Sequence, residues 1–130
     1  MVRLLSAKPS DPSPIDWAQH STEHPFAGIE RQTVHGENQT IVRYIYQPGS
    51  IFPVHRHPEE QVTIVLSGSI DFTVDGRPLT LSAGESALIP ADVPHRATVT
   101  GSDVVETLNT MSPRRRIDPM TPGPEDEGAA

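Results

Sequence analysis

From Gly28 to Met111 the chain alternates short runs of β-branched and aromatic residues with glycine and proline turn signals, and nothing else in the sequence constrains the fold as strongly. "IVRYIY" ends at Pro48-Gly49, "QVTIVLS" at Gly68 and "PLTLSA" at Gly84. In "IDFTV", Phe72 and Val74 fall on one face and Asp71 and Thr73 on the other, the period of a half-buried strand. Asp75-Gly76 then supplies the left-handed backbone that a two-residue hairpin requires. "SALIP", "ATVTG" and "VVETLNTM" complete the series. Strands this short and this evenly spaced predict an all-β fold, a single antiparallel β-barrel or jelly-roll-like sandwich. The one hint of helix is a turn near "PIDWAQHSTEH".

The rest of the chain does not read as core. Of 130 residues, 35% are hydrophobic and 14 are proline. The surplus polar composition lies at the ends, in "SAKPSDPSPIDW" and "RRRIDPMTPGPEDEGAA". Such segments bury too little apolar surface to offset the entropy of ordering them. The reading is an N-terminal arm over 1–26, a barrel over 27–113 and a flexible C-terminal tail over 114–130. With no cysteine, disulfides and thiolate ligands are excluded. A net charge of −7 argues against nucleic acid as a partner, since phosphate binding depends on clustered Lys and Arg. No apolar run approaches the roughly 20 residues of a membrane span, and "MVRLLSAKPS" lacks the apolar core of a signal peptide. A cytoplasmic location with no membrane partner is the expectation.

The stretch "VHRHPEEQ" carries the chemistry. Residues two apart on a strand share a face, so His55 and His57 project together while Arg56 points away. Imidazole nitrogens meet a metal at about 2.0–2.2 Å, and two from one strand can share an ion. Gln61, beyond the turn at Pro58, can return a side-chain carbonyl to the same place. His95 ends "IPADVPH", where Pro90 and Pro94 stiffen the approach. An isolated His-x-His is more often surface decoration; here the framing residues change its weight. "GSIFPVHRHPEEQVTIVLSG" and "GESALIPADVPHRATV" resemble, in register, the two motifs of the cupin superfamily, G-x5-H-x-H-x3-E-x6-G and G-x5-P-x-G-x2-H-x3-N. The resemblance runs from Gly28 to Pro113. Gln61 stands where the motif has glutamate, Asp92 where it has glycine, and Val99 where it has asparagine.

The resemblance implies one divalent ion (Zn, Ni, Fe or Mn) on His55, His57, Gln61 and His95, with one or two positions left for water or substrate. Three neutral imidazoles and a neutral amide leave the ion's charge uncompensated, which strengthens it as a Lewis acid at the expense of affinity.

Among small single-domain cupins, the chain looks most like the pectin-degradation group that linearises unsaturated uronates, and it is also similar to cupin-type polyketide cyclases. The former group ends in D-x-F-S-P-x-R, matched here by Asn109-Thr110-Met111-Ser112-Pro113-Arg114-Arg115. Arg115 keeps the arginine and is the expected anion clamp; Asn109 replaces the aspartate, and an amide is no general base at neutral pH. Asn109 and Tyr44 are expected to orient the reaction.

Met111, Phe52, Ile64, Phe72 and Tyr44 are candidates for an apolar pocket wall. Tyr46 shares a face with Tyr44. Glu60, beside Gln61, is either a proton-transfer candidate or a solvated carboxylate. The expected activity is non-redox Lewis-acid chemistry, namely cyclisation, isomerisation or elimination through an enolate, on a small carbonyl, polyhydroxy or polyketide-like substrate. The alternatives are an Fe-dependent dioxygenase and a non-catalytic ligand-binding module. Sensor cupins usually accompany a helix-turn-helix, for which this chain has no room. A homodimer is expected, with the N-terminal arm and exposed sheet edges as its contacts.

Overall fold

The computed structural model describes residues 10–116. The flexible tails expected from the sequence fall in part on residues 1–9 and 117–130, outside the described residues. A single 3-10 turn, Trp17–Gln19, sits where the helical hint lay, and Asp16 caps it by accepting from the Ala18 N–H. Ten strands follow: β1 Glu23–Phe26, β2 Ile29–His35, β3 Thr40–Tyr46, β4 Ile51–His55, β5 Glu60–Ser67, β6 Ser69–Val74, β7 Arg77–Ser82, β8 Ser86–Ile89, β9 His95–Thr98 and β10 Val105–Ser112. They form two antiparallel sheets, β1-β2-β3-β10-β5-β8 and β4-β9-β6-β7. This is the all-β antiparallel architecture read from the rhythm of the sequence. Among the described residues no helix is long and apolar enough to cross a membrane.

The hairpin between β6 and β7 turns at Asp75 (φ 51°) and Gly76 (φ 76°), both left-handed as the two-residue turn demands. Gly68, between β5 and β6, has φ 81°, and a Cβ there would lie 2.8 Å from the Val104 carbonyl oxygen, so close backbone approach fixes glycine at this position. Asp92 takes φ 63° at the motif's glycine position. Aspartate tolerates this conformation better than most side chains. The Asp92 N–H donates to the His57 carbonyl at 2.8 Å, tying the loop that delivers His95 to the one that delivers His57.

Inward-facing residues of both sheets make one core, in which Val42, Val65, Ile70, Ile89, Val99 and Val105 are almost fully buried. Val99, in place of the motif's asparagine, is simply part of that core. β1, inside the stretch read as an arm, adds an edge strand to β2 and holds down Arg31. The Arg31 side chain is wholly buried, and its guanidinium pairs with Glu23.

The outer faces of the two sheets differ. The smaller sheet presents Asp71, Thr73, Arg96 and Thr98 outward, whereas the larger presents Ile41, Ile45, Val62, Ile64, Leu88 and Leu108. Ile64 is therefore corrected as a pocket candidate. Gln61, Thr63 and Val65 take the buried face of β5, and the two-residue period puts Ile64 on the other side.

Candidate metal centre

His55 closes β4 and pairs in register with His95, the first residue of β9. His57 lies beyond the end of β4, so strand alternation alone does not aim it. Backbone carbonyls do. The Nδ1–H of His55 donates to Pro53 O at 2.9 Å, that of His57 to Glu59 O at 3.0 Å and that of His95 to Val93 O at 2.9 Å. A carbonyl only accepts, so each Nδ1 carries the proton and each Nε2 keeps a lone pair. The three rings have centroids 4.1–5.7 Å apart, and one nitrogen from each lies within 4.8 Å of the others.

Gln61, on the buried face of β5, completes the set: its Oε1 lies 3.0 Å from His57 Nε2. With the His57 proton on Nδ1, this brings two lone pairs face to face, an arrangement that a cation between them relieves. Burial pushes the His55 imidazole down to about 4 and the His57 imidazole down as well, with the Arg115 charge adding to both effects. Both rings are neutral at pH 7, as metal ligands must be. The donor set is nitrogen and oxygen without thiolate, which suits Zn, Ni, Fe or Mn. These residues fit a divalent ion.

A cavity of about 330 Å³, partly open to solvent, lies against the ligands and is lined by Tyr44, Tyr46, Phe52, Phe72, Ala97, Met111 and Arg115, beside His55, Gln61 and His95. Phe52, Phe72, Tyr44 and Met111 thus form the apolar wall expected of them. Burial holds the Tyr46 phenol well above its ordinary value, so it stays protonated. Arg115 reaches the cavity from beyond β10, its N–H anchored to Thr40 Oγ1 at 3.0 Å. Asn109 is not at the cavity wall: it stands behind Gln61, accepting from Gln61 Nε2 at 3.3 Å.

The sequence reading missed Glu59. Its carboxylate is 3.3 Å from Arg115 Nε and 3.5 Å from His57 Nδ1, and both Glu59 and Arg115 are 5% exposed. Glu60, the carboxylate considered instead, faces solvent. Glu59 lies between the end of β4 and the start of β5, where strand parity does not reach, and only its contacts with Arg115 and His57 reveal it.

Comparison with known proteins agrees with this geometry. The family model described as "Cupin domain" matches residues 42–111. The HTH-type transcriptional regulator PuuR of Escherichia coli (strain K12) is 26% identical over 111 residues, covering 82% of this chain and 60% of its own length. The chain thus spans about 60% of the regulator it matches. Among solved structures, an RmlC-like cupin from Shewanella frigidimarina superposes with TM-score 0.73 at 27% identity over 82% of this chain and 95% of its own. KdgF from Halomonas sp. gives TM-score 0.73 at 23% identity over 82% and 97%. With two motifs in register, three converging imidazoles and a family match across most of the barrel, the chain belongs to the cupin family.

Proposed function

We propose that this cupin is a metal-dependent enzyme performing non-redox Lewis-acid chemistry on a small oxygen-bearing substrate: cyclisation, isomerisation or elimination next to a carbonyl. One observation carries the reading. His55, His57 and His95 each bring a nitrogen within 4.8 Å of the others, and His55, Gln61 and His95 line a cavity that opens to solvent, so an ion held there is within reach of a substrate. When present, a divalent ion supplies charge to polarise a carbonyl or hydroxyl oxygen. The chain's own residues do the rest. Tyr44, Phe52, Phe72 and Met111 offer a substrate apolar contact, and the protonated Tyr46 phenol offers a hydrogen bond. Arg115, held by Glu59, offers a fixed cation to a carboxylate or enolate oxygen. The enclosed space beside the candidate ligands is small, which favours a compact substrate over an extended chain.

The test is elemental mass spectrometry on protein purified without tag or chelator, beside His57→Ala. About one equivalent of Zn, Ni, Mn or Fe is expected, and its loss in the variant. No metal in either sample, even after reconstitution, removes the proposal. Iron with oxygen-dependent turnover would replace it with a dioxygenase. The similarity to PuuR favours a second reading, a ligand-binding module, and turnover by the purified protein alone separates the two.

The apolar outer face of the larger sheet supports a homodimer. Arg43 and Glu106 pair at 2.7 Å on that face, so the charges on it are already matched within the chain. Light scattering should give twice the 14.2 kDa chain mass, and a double variant at two exposed leucines of the larger sheet, Leu66→Glu/Leu88→Glu, should return it to one. A wild-type monomer at micromolar concentration would end this proposal.

A further inference from the structure

Behind Gln61 lies a buried polar network whose hydrogen bonds can run in only one direction. It starts at the carbonyl of Val42 on β3, which can only accept. Asn109, the register partner of Val42 on β10, donates Nδ2–H to that carbonyl at 3.3 Å and to Thr107 Oγ1 at 2.9 Å. Its Oδ1 must then face the other way, where it accepts the Thr63 hydroxyl at 2.7 Å and Gln61 Nε2–H at 3.3 Å. Thr63 has spent its proton on Asn109, so its oxygen accepts the other Gln61 Nε2–H at 2.9 Å. The Gln61 Nε2 thus faces two acceptors, and its Oε1 is left facing His57. Gln61, Thr63, Thr107 and Asn109 are all buried, so water does not compete for these bonds.

A glutamate at 61 would not fit this network. Its inner oxygen would meet Oδ1 of Asn109, acceptor against acceptor. Turning Asn109 over to relieve that contact would aim Oδ1 at the Val42 carbonyl instead. The departure from the cupin motif at position 61 is thus matched by the residues behind it.

Resting on the metal reading above, we infer that the Val42–Asn109–Thr63 chain locks Gln61 as a neutral, oxygen-presenting ligand, which makes Asn109 a positioning residue and the amide the side chain for which this site is built. A locked ligand meets the ion without first being ordered. Hydrogen-bond partners that stand behind a metal ligand typically alter metal affinity about 10–100-fold.

The experiment is a double-mutant cycle on metal affinity, with Zn²⁺ and Mn²⁺ titrated separately against a chromophoric chelator. In the wild-type background, Asn109→Leu is expected to weaken binding about 10-fold or more. In the Gln61→Glu background the same change removes the opposing acceptor, so affinity should hold or tighten. Melting temperature and far-UV circular dichroism establish that each variant is folded, and Asn109→Ala replaces Asn109→Leu if the latter is not. Equal fold-changes in the two backgrounds would overturn the inference and leave the metal reading standing. A wild-type protein that binds neither ion would overturn both.

Discussion

Replacing Glu59 with leucine is expected to cost about 3–5 kcal/mol of stability, the range for removing one partner of a buried ion pair. Glu59 and Arg115 are each 5% exposed, and the Oε1–Nε separation is 3.3 Å. Removing the carboxylate strips that counter-charge from a guanidinium that water barely reaches. It also removes a negative charge 3.5 Å from His57 Nδ1. A domain of this size has about 5–15 kcal/mol in total, so the melting temperature should fall by more than about 10 °C. The double variant Glu59→Leu/Arg115→Met removes both charges and should recover most of the loss, because the penalty belongs to a buried charge that has lost its Glu59 counter-charge. Urea unfolding of the four proteins measures the coupling. A Glu59→Leu variant within about 1 kcal/mol of wild type would show that Arg115 rearranges into solvent, and with it the anion clamp would be lost.

Much of this architecture was legible because its signals are local. The Asp75-Gly76 turn, the glycine and proline punctuation and the alternation of "IDFTV" depend on neighbours in sequence, and they return as β6, β7 and the hairpin between them. The clustering of His55, His57 and His95, with Gln61 beside His57, was legible through the motif spacing and the resemblance it carries. What failed was parity and polarity. Ile64 was taken inward because it is apolar, yet Gln61 and Thr63 hold the buried face of the same strand. Hydrophobicity points inward only where the interior is apolar, and the interior beside the three histidines is not. Glu59 was passed over for the same reason. Arg31 is a third case: its wholly buried guanidinium is matched by Glu23 on a strand in the segment read as an arm. No pattern in sequence reveals that pairing, which exists only once β1 has docked.

In Asn109 the sequence showed the residue but not its duty. A substitution at an expected aspartate reads as a lost base, whereas the fold shows an amide engaged on both of its ends. The hydrogen-bond direction that fixes its role begins at a backbone carbonyl, which the identity of residue 42 does not reveal.

The metal-free protein should lose stability steeply on mild acidification. In the unfolded chain the His55 imidazole binds a proton near its ordinary 6.5, whereas in the fold burial holds it down to about 4. Between those values the unfolded state carries more protons, so a falling pH favours unfolding. The stability that depends on a neutral His55 is complete above pH 6.5, declines towards pH 4 and is gone below it. A separation of about 2.5 units corresponds to roughly 3 kcal/mol for this one group. His57 shifts in the same direction and steepens the decline; desolvation and Arg115 depress it, partly opposed by its bonds to Gln61 and Glu59 O and by the Glu59 charge. Thermal melts of chelator-stripped protein from pH 7.5 to 4 measure the slope, and His55→Gln, which has no imidazole to protonate there, should flatten it. A melting temperature that is level across this range, or a slope unchanged in the variant, would place the acid sensitivity elsewhere. The same depression bears on the loaded site. Protons compete with a metal for the His55 Nε2 only once the pH approaches the folded value of about 4, so this ring should still serve an ion below pH 6.5, where an ordinary imidazole is already half charged.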